Sequence, residues 1–354
     1  MPLPVRPPLA PMLARLTRSL PREGYLYEPK WDGFRSISFR DRGEIDMRSR
    51  HDRPLARYFP ELVDALRAVP SESFVIDGEI VVVTERGFDF PATMARLHPA
   101  ASRVERLARE TPAQLIAFDL VSEGSDDLRE TRFEERRVRL ERLLSDPPDG
   151  LRLTPITDDA EVAQDWLSRF EGGGIDGVMA KRRDLHYQPG ARAMTKVKNE
   201  RRADCVVAGF RVYVDAEDEV ASLLLGLYDD RRELEHVGVA SSMRRELRLR
   251  LFDELRPLIV PLQGHPWEHG YLIGGGALGR LPGSAGRWTP DMEHDWIPVR
   301  PERVAEVAYE QLDDFRFRHP ARFRRWRPDR DPLSCSIEQL RATPPPLITA
   351  LEGR

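Results

Sequence analysis

Residues 73–84, SFVIDGEIVVVT, constrain the fold more than any other stretch of this chain. β-Branched side chains crowd it, and they favour a pleated backbone, so the segment reads as a strand. Its two carboxylates, Asp77 and Glu79, are two apart and therefore share one face of that strand. Charging such a face costs free energy unless something polar binds against it. A solvated strand face is the plainer alternative.

Around it, YLYEPKW from Tyr25, FRSISF from Phe34 and IDMRSR from Ile45 read as strands, the last two forming a hairpin through Asp41-Arg42-Gly43. QLIAFDLV at 114–121 and IDGVMAK at 175–181 extend the pattern. Pro60 to Val69 suits a helix with Pro in its first turn. Thr131 and Glu134 have the spacing of a capping box ahead of a charged helix ending at Leu144, and another helix is expected over 158–170. The Pro-rich first twenty residues are expected to wrap a surface rather than join a core. Strands and helices mix without βαβ alternation, so the class is α+β and not a Rossmann sheet. Beyond residue 204 the texture changes to short strands over 205–239, a helix over 241–256, and strands up to Arg327. Short strands around one helix suit a small Greek-key barrel of the OB type. With 354 residues, one core is too few. The boundary is placed near Arg202–Asp204, giving domains 1–203 and 204–354, the second with a polar, Pro-rich tail.

No apolar run approaches the roughly 18 residues of a membrane span, and the start MPLPVRPPLAPMLA lacks a secretory signal's apolar stretch. Cys205 and Cys335 are too few for a disulfide framework or a four-thiolate zinc site, which fits a reducing cytoplasm. A net charge of −4 argues against non-specific coating of nucleic acid but leaves room for a local basic groove. Of the 55 basic residues only four are lysine: Lys30, Lys181, Lys196 and Lys198. Coding bias is the bland cause. It still acts as a filter, because arginine replaces lysine on a solvated surface but not where an amine must lose its proton and attack.

The sharpest motif is Glu28-Pro29-Lys30-Trp31-Asp32-Gly33-Phe34-Arg35. A nucleophilic lysine needs cationic neighbours or desolvation, and the other three lysines can supply charge. Asp32 could orient the amine or hold a metal, and Arg35 could grip a phosphate or ribose. A surface hairpin carrying an incidental Lys-x-Asp-Gly is the alternative. Phe118, in FDL, could stack on a base or be plain core. Lys196 and Lys198 stand at strand spacing, and like charges so placed repel unless an anion lies between them. FRFRHPARFRRWRPDR carries seven arginines from Arg316 to Arg330, a phosphate surface or a solvated basic face. Two signals fail. GGGALG at 274–279 matches a dinucleotide loop, but Pro282, Gly283 and Gly286 forbid the helix it must open, and no lysine follows a glycine to make a Walker loop. The eight histidines have no metal-binding spacing and read as structural.

In this order the motifs resemble those of the covalent nucleotidyltransferase superfamily of DNA ligases, RNA ligases and mRNA capping enzymes. Lys30-x-Asp32-Gly33-x-Arg35 resembles its nucleophile motif and Ser49-Arg50 the short motif after it. Asp77-Gly78-Glu79, Phe118-Asp119, Asp176-Gly-Val-x-x-Lys181 and Lys196-x-Lys198 resemble the later ones, and Arg327-Pro328-Asp329-Arg330 the closing element. The likeness is nearest to small bacterial ATP-dependent DNA ligases of the C type and to the ligase module of the bacterial end-joining ligase. It implies a nucleotidyltransferase (ATP-grasp-like) adenylation domain followed by an OB-fold barrel. Lys30 would attack the α-phosphate of ATP, expel pyrophosphate and carry AMP. The AMP would pass to the 5′-phosphate of nicked duplex DNA, and the 3′-hydroxyl would displace it.

The same resemblance assigns roles. Glu28 would lie beside the base, Phe118 would stack on adenine, and Glu79 and Arg35 would hold the ribose. Lys196 and Lys198 would face the α-phosphate, while Lys181 and Arg192 would be further nucleotide contacts. Arg50 would meet the nick phosphate. Asp176, with Glu79, would support Mg²⁺ or Mn²⁺. Arg327, Asp329 and Arg330 would orient the leaving pyrophosphate. Three departures stand out: Asp176 replaces a common Glu, Arg330 replaces Lys, and no room precedes Tyr25 for an extra DNA-binding domain. The expectation is a monomeric cytoplasmic repair ligase, served by a repair polymerase or nuclease as partner. An RNA ligase or capping-type guanylyltransferase is the nearest rival, and a non-catalytic nucleotide- or DNA-binding scaffold the more distant one.

Overall fold

The computed structural model describes residues 3–84, 87–169, 175–198, 200–268, 296–310, 312–313 and 315–340. The chain divides into two compact units, with the break between Asn199 and Glu200.

The first unit contains two sheets. The larger runs β4 (Glu44–Ser49), β3 (Phe34–Asp41), β5 (Ser73–Thr84), β7 (Ala113–Glu123) and β8 (Asp126–Asp127), with β6 (Gly87–Phe88) beside β5 and β9 (Leu151–Leu153) beside β7. The smaller runs β1 (Ala14–Thr17), β11 (Met194–Val197), β10 (Ile175–Arg182) and β2 (Tyr25–Trp31). Helices α1 (Pro60–Ala68), α2 (Phe90–Ala95), α3 (Ala101–Glu110), α4 (Phe133–Leu143) and α5 (Ala160–Arg169) complete it. Alternation along β5 sends Phe74, Ile76, Ile80 and Val82 into one apolar core with Leu62, Leu66 and Leu140. The opposite face turns Val75 toward Ile37, Phe39, Leu26 and Met194, which form a second core.

Two expectations fail here. The N-terminal residues do not merely wrap a surface: Leu3, Val5 and Met12 are buried in that second core, and β1 pairs parallel to β11. Proline removes backbone donors without making a segment polar, so an extended Pro-rich run can still lay apolar side chains inward. The capping box at Thr131 and Glu134 is absent. The N-cap falls on Arg132 without a side-chain bond, the Glu134 N–H donates to the Arg183 carbonyl at 3.0 Å, and the Thr131 carbonyl accepts from Arg136 at 2.6 Å. Helices α2 and α3 are additions to the expected elements.

The second unit is an antiparallel sheet in the order β14 (Leu234–Ala240), β13 (Ala216–Tyr228), β12 (Arg201–Tyr213), β15 (Ile297–Tyr309), β18 (Arg322–Trp326), with a short ladder of β16 (Leu312–Asp313) and β17 (Arg316–Phe317). Helix α6 (Arg245–Leu255) packs Leu251 and Leu255 against its core of Phe210, Leu223, Leu225 and Trp267. This sheet with its one helix is of the OB type expected from the sequence, and it follows a sheet-rich first unit. The GGGALG run and the C-terminal tail lie outside the described residues.

Candidate active site

The layer between the two sheets of the first unit is apolar at one end and charged at the other. Register explains the charged end. Met179 pairs with Glu28 on one side and Lys196 on the other, so Glu28, Met179 and Lys196 form a row across the smaller sheet. Lys30 and Lys181, each two residues from a member of that row, share its face. On the larger sheet Arg35 pairs with Glu79, two residues from Asp77. A cleft of about 700 Å³ opens there, lined by Glu28, Lys30, Arg35, Arg50, Glu79, Phe118, Lys181, Arg192 and Lys196 among others. Nine residues expected at a site are thus brought together by two sheets that the sequence leaves far apart.

Two glycines shape the wall around Lys30. A Cβ at Gly33 would stand 2.1 Å from the Ile80 carbonyl oxygen, so the β2–β3 turn lies directly on β5. Gly177 has φ +138°, and a Cβ there would stand 2.1 Å from the Val197 oxygen. That glycine sits in a bulge where Ile175 opposes Trp31 and Val178 opposes Pro29. One extra residue on β10 brings Asp176 to Lys30. Its Oδ2 accepts from Lys30 Nζ at 2.5 Å and lies 2.9 Å from Lys198 Nζ. Burial would push the Asp176 carboxyl up, but Lys30 and Lys198 outweigh it and hold it below its usual range. β11 ends at Val197, Lys198 turns to Asp176 and Lys196 lines the cleft, so the carboxylate of Asp176 lies between the ammonium groups of Lys30 and Lys198.

Deeper in, Glu28 is buried. Its Oε2 lies 2.7 Å from Lys181 Nζ, which also donates to the Phe118 carbonyl at 3.0 Å. Burial pushes the Glu28 carboxyl up, opposed by Lys181 and Arg137, and its Oε1 has no hydrogen-bond partner. The half-buried Phe118 ring carries Lys181 Nζ 4.9 Å and the Arg35 guanidinium 4.8 Å from its centroid.

Asp77, which the strand pattern marked as costly, is matched from within. Arg35 donates to both its oxygens at 2.6 Å and Tyr187 donates at 2.7 Å. Arg35 is thereby locked by a bidentate pair. Glu79 accepts a 3.2 Å bond from the Gly33 N–H, and burial lifts its carboxyl to about 7 against the pull of Lys30 and Arg35, with Asp32 and Asp77 adding to the rise. Asp176 and Glu79 offer hard oxygen donors of the kind a divalent cation takes, so the residues fit such an ion.

Arg50 sits in the turn after β4, where the Ser49 hydroxyl accepts from the Arg53 N–H at 3.1 Å. Arg327, Asp329 and Arg330 belong to the second unit. There Arg327 pairs with Asp204 at 3.0 Å and Asp329 at 2.9 Å, and Arg330 lies 3.6 Å from Asp204. The arginine-rich stretch is not a bare basic face: Arg322 meets Glu200 at 3.7 Å, Arg325 meets Glu306 at 2.7 Å, and Arg324 also pairs with Glu200.

A family model described as the ATP dependent DNA ligase domain matches residues 9–198, and one described as the ATP dependent DNA ligase C terminal region matches residues 216–330. The chain belongs to the ATP-dependent DNA ligases. This ligase is 49% identical over 345 residues to DNA ligase C2 of Mycolicibacterium smegmatis, with 97% of each chain covered. It is 48% identical over 344 residues to DNA ligase C of Mycobacterium tuberculosis, with 96% of each covered. It is thus a bacterial ligase of the C type, an enzyme that seals nicks in DNA, and the RNA-ligase and capping readings are not favoured. The family's ATP dependence implies ATP and a divalent cation. A solved Lig E DNA ligase shares the fold at TM-score 0.54 and 17% identity, covering 90% of this chain and 99% of that one.

Sequence reasoning missed the inner supports of this ligase's cleft. Arg136 clamps the buried Asp119 at 2.8 and 3.0 Å, Arg137 stands behind Glu28, and Trp31 Nε1 donates to the Thr154 hydroxyl at 2.9 Å. A signal was present. The buried face of α4 is Phe133, Arg136, Arg137, Leu140 and Leu143, so helical spacing puts two arginines on the core stripe.

Proposed function

We propose that Lys30 is the amine that carries AMP in this ligase. What supports the reading most is that Lys30, held with Lys198 by Asp176, lines the same cleft as Phe118 and Glu28. Asp176 fixes the Lys30 amine in place. An incoming α-phosphate, with Lys196 and Lys198 beside it, would meet concentrated positive charge, and transfer of this kind depends on positioning and charge neutralisation. The Lys30 nitrogen forms its bond to the α-phosphorus, the α–β bridging bond breaks, pyrophosphate leaves and the amine sheds a proton. The 5′-phosphate of the nick then attacks the same phosphorus and frees Lys30. Finally the 3′-hydroxyl attacks the 5′-phosphate and AMP departs. Asp176 and Glu79 would hold the divalent cation, Mg²⁺ or Mn²⁺, which when bound neutralises phosphate charge. Phe118 stacks on adenine, Glu28 faces its edge, Arg35 and Glu79 hold the ribose, and Lys181 and Arg192 complete the nucleotide contacts. Asp32, beside Lys30, helps orient the amine. Arg50 takes the nick phosphate, and Arg327, Asp329 and Arg330 attend the pyrophosphate.

We assign the enzyme to DNA repair, working as a cytoplasmic monomer with a polymerase or nuclease. Two buried free cysteines, Cys205 and Cys335, suit a reducing compartment, and no helix among the described residues is long and apolar enough to cross a membrane. Incubation with α-labelled ATP followed by a denaturing gel tests the nucleophile. Label is expected on the wild type and absent from Lys30→Ala. An adduct that persists in Lys30→Arg would overturn the assignment.

A further inference from the structure

Behind Glu28 stands a residue that no motif includes. Arg137, on α4, is buried, and its guanidinium is anchored at two corners: Nε donates to Glu141 at 2.7 Å and Nη2 to the Thr154 carbonyl at 2.7 Å. Its third nitrogen, Nη1, has no hydrogen-bond partner, and it lies 3.7 Å from Glu28 Oε1, which also has none. The other oxygen of Glu28 is held by Lys181 at 2.7 Å. A buried donor and a buried acceptor, both unsatisfied, are rarely left facing each other across a gap too long for a bond. Arg137 and Lys181 thus flank the carboxylate of a residue that lines the cleft, one beside each oxygen.

We propose that Arg137 is a positioning residue for base recognition: it keeps the Glu28 carboxylate from turning or withdrawing, so that this carboxylate accepts from the exocyclic amine of an adenine and discriminates against a 6-oxo purine. This rests on the reading of the cleft as the nucleotide site. A carboxylate oxygen can only accept, so it matches an amino group and repels a carbonyl. The groups facing Glu28 are Lys181 from β10, Arg137 from α4 and, at longer range, Asp119 from β7, itself matched by Arg136. Burial raises the Glu28 carboxyl while Lys181 and Arg137 restrain it. Without Arg137 it rises further and protonates at higher pH, turning an acceptor into a donor.

The test compares Arg137→Met, Arg137→Lys and Glu28→Gln with wild type in enzyme–AMP formation, using ATP and inosine triphosphate between pH 5.5 and 8.5. In Arg137→Met, KM for ATP should rise about tenfold, the size of a lost charge-assisted bond, with kcat nearly unchanged. KM for inosine triphosphate should stay put, and the acid limb of the ATP profile should move to higher pH. Arg137→Lys should recover most of the affinity. Should Arg137→Met fail to fold, Glu141→Gln, which loosens one anchor, should shift KM for ATP and the acid limb the same way by about two- to threefold. Equal losses for both nucleotides, or an unmoved acid limb, would overturn the proposal. If Glu28→Gln leaves KM for ATP unchanged, the base-side reading of the cleft itself fails. If that variant loses affinity while Arg137→Met does not, only the positioning role fails.

Discussion

Replacing Glu79 with Gln should make this enzyme more stable and less active at the same time. Glu79 lies in the cleft wall with its carboxyl lifted from the ordinary 4.5 to about 7, because burial outweighs the attraction of Lys30 and Arg35. A carboxyl whose folded pKa is raised contributes stability below its unfolded value, and that stability is lost as pH rises through about 7. Between 4.5 and about 7 the shift corresponds to a penalty of about 3 kcal/mol at pH 8. At pH 5 the same linkage leaves less than about 1 kcal/mol. Gln keeps the acceptor that receives the Gly33 N–H at 3.2 Å but never ionises. The gain of Glu79→Gln over wild type should therefore be larger at pH 8 than at pH 5 by about 2 kcal/mol. For a unit of this size that is roughly 4–8 °C in melting temperature. Urea unfolding at the two pH values, with hydrogen exchange of β3 and β5 amides read alongside, measures it. Enzyme–AMP formation should fall roughly tenfold or more, since Glu79 is assigned to the ribose and the cation. An equal stability change at both pH values would refute the argument, because only ionisation of Glu79 makes the effect depend on pH.

Asp176→Asn removes the carboxylate between Lys30 and Lys198 and leaves their ammonium groups facing each other. After allowance for solvent at the partly exposed lysines it should cost about 1–2 kcal/mol near neutral pH. Because the folded Asp176 carboxyl sits below its usual range, the gap from wild type should close as the medium is acidified through that carboxyl. Enzyme–AMP formation should fall on the order of a hundredfold through loss of alignment. Arg136→Leu strands the buried Asp119 without a partner and should cost about 3–5 kcal/mol in urea unfolding. Most of that loss should return in the double variant Arg136→Leu/Asp119→Leu, where no charge is left unpaired.

What was legible in the sequence and what was not divide along a physical line. The strands show because period-two alternation is a local property. Ser73–Thr84 and the hairpin after Phe34 carry it within themselves, and the structure has both. The cleft residues show for a different reason: a chain that has turned nearly every basic position to arginine exposes the four lysines it keeps, and three of these line the cleft while the fourth meets Asp176 beside Lys30. Neither signal reaches Arg136 and Arg137. In a helix reading FEERRVRLERL both look like solvated charge, and only their place on the stripe shared by Phe133, Leu140 and Leu143 marks them as buried. The carboxylates that make such burial tolerable, Asp119 and Glu28, come from β7 and β2, so the match exists only after folding. The bulge at Gly177 is hidden in the same way, since its need for glycine comes from the Val197 oxygen on the neighbouring strand. The scarcity of lysine and the resemblance of the motifs can thus point to residues that line the cleft. The residues that hold those in place, Arg136 against Asp119 and Arg137 beside Glu28, are chosen by neighbours across the fold.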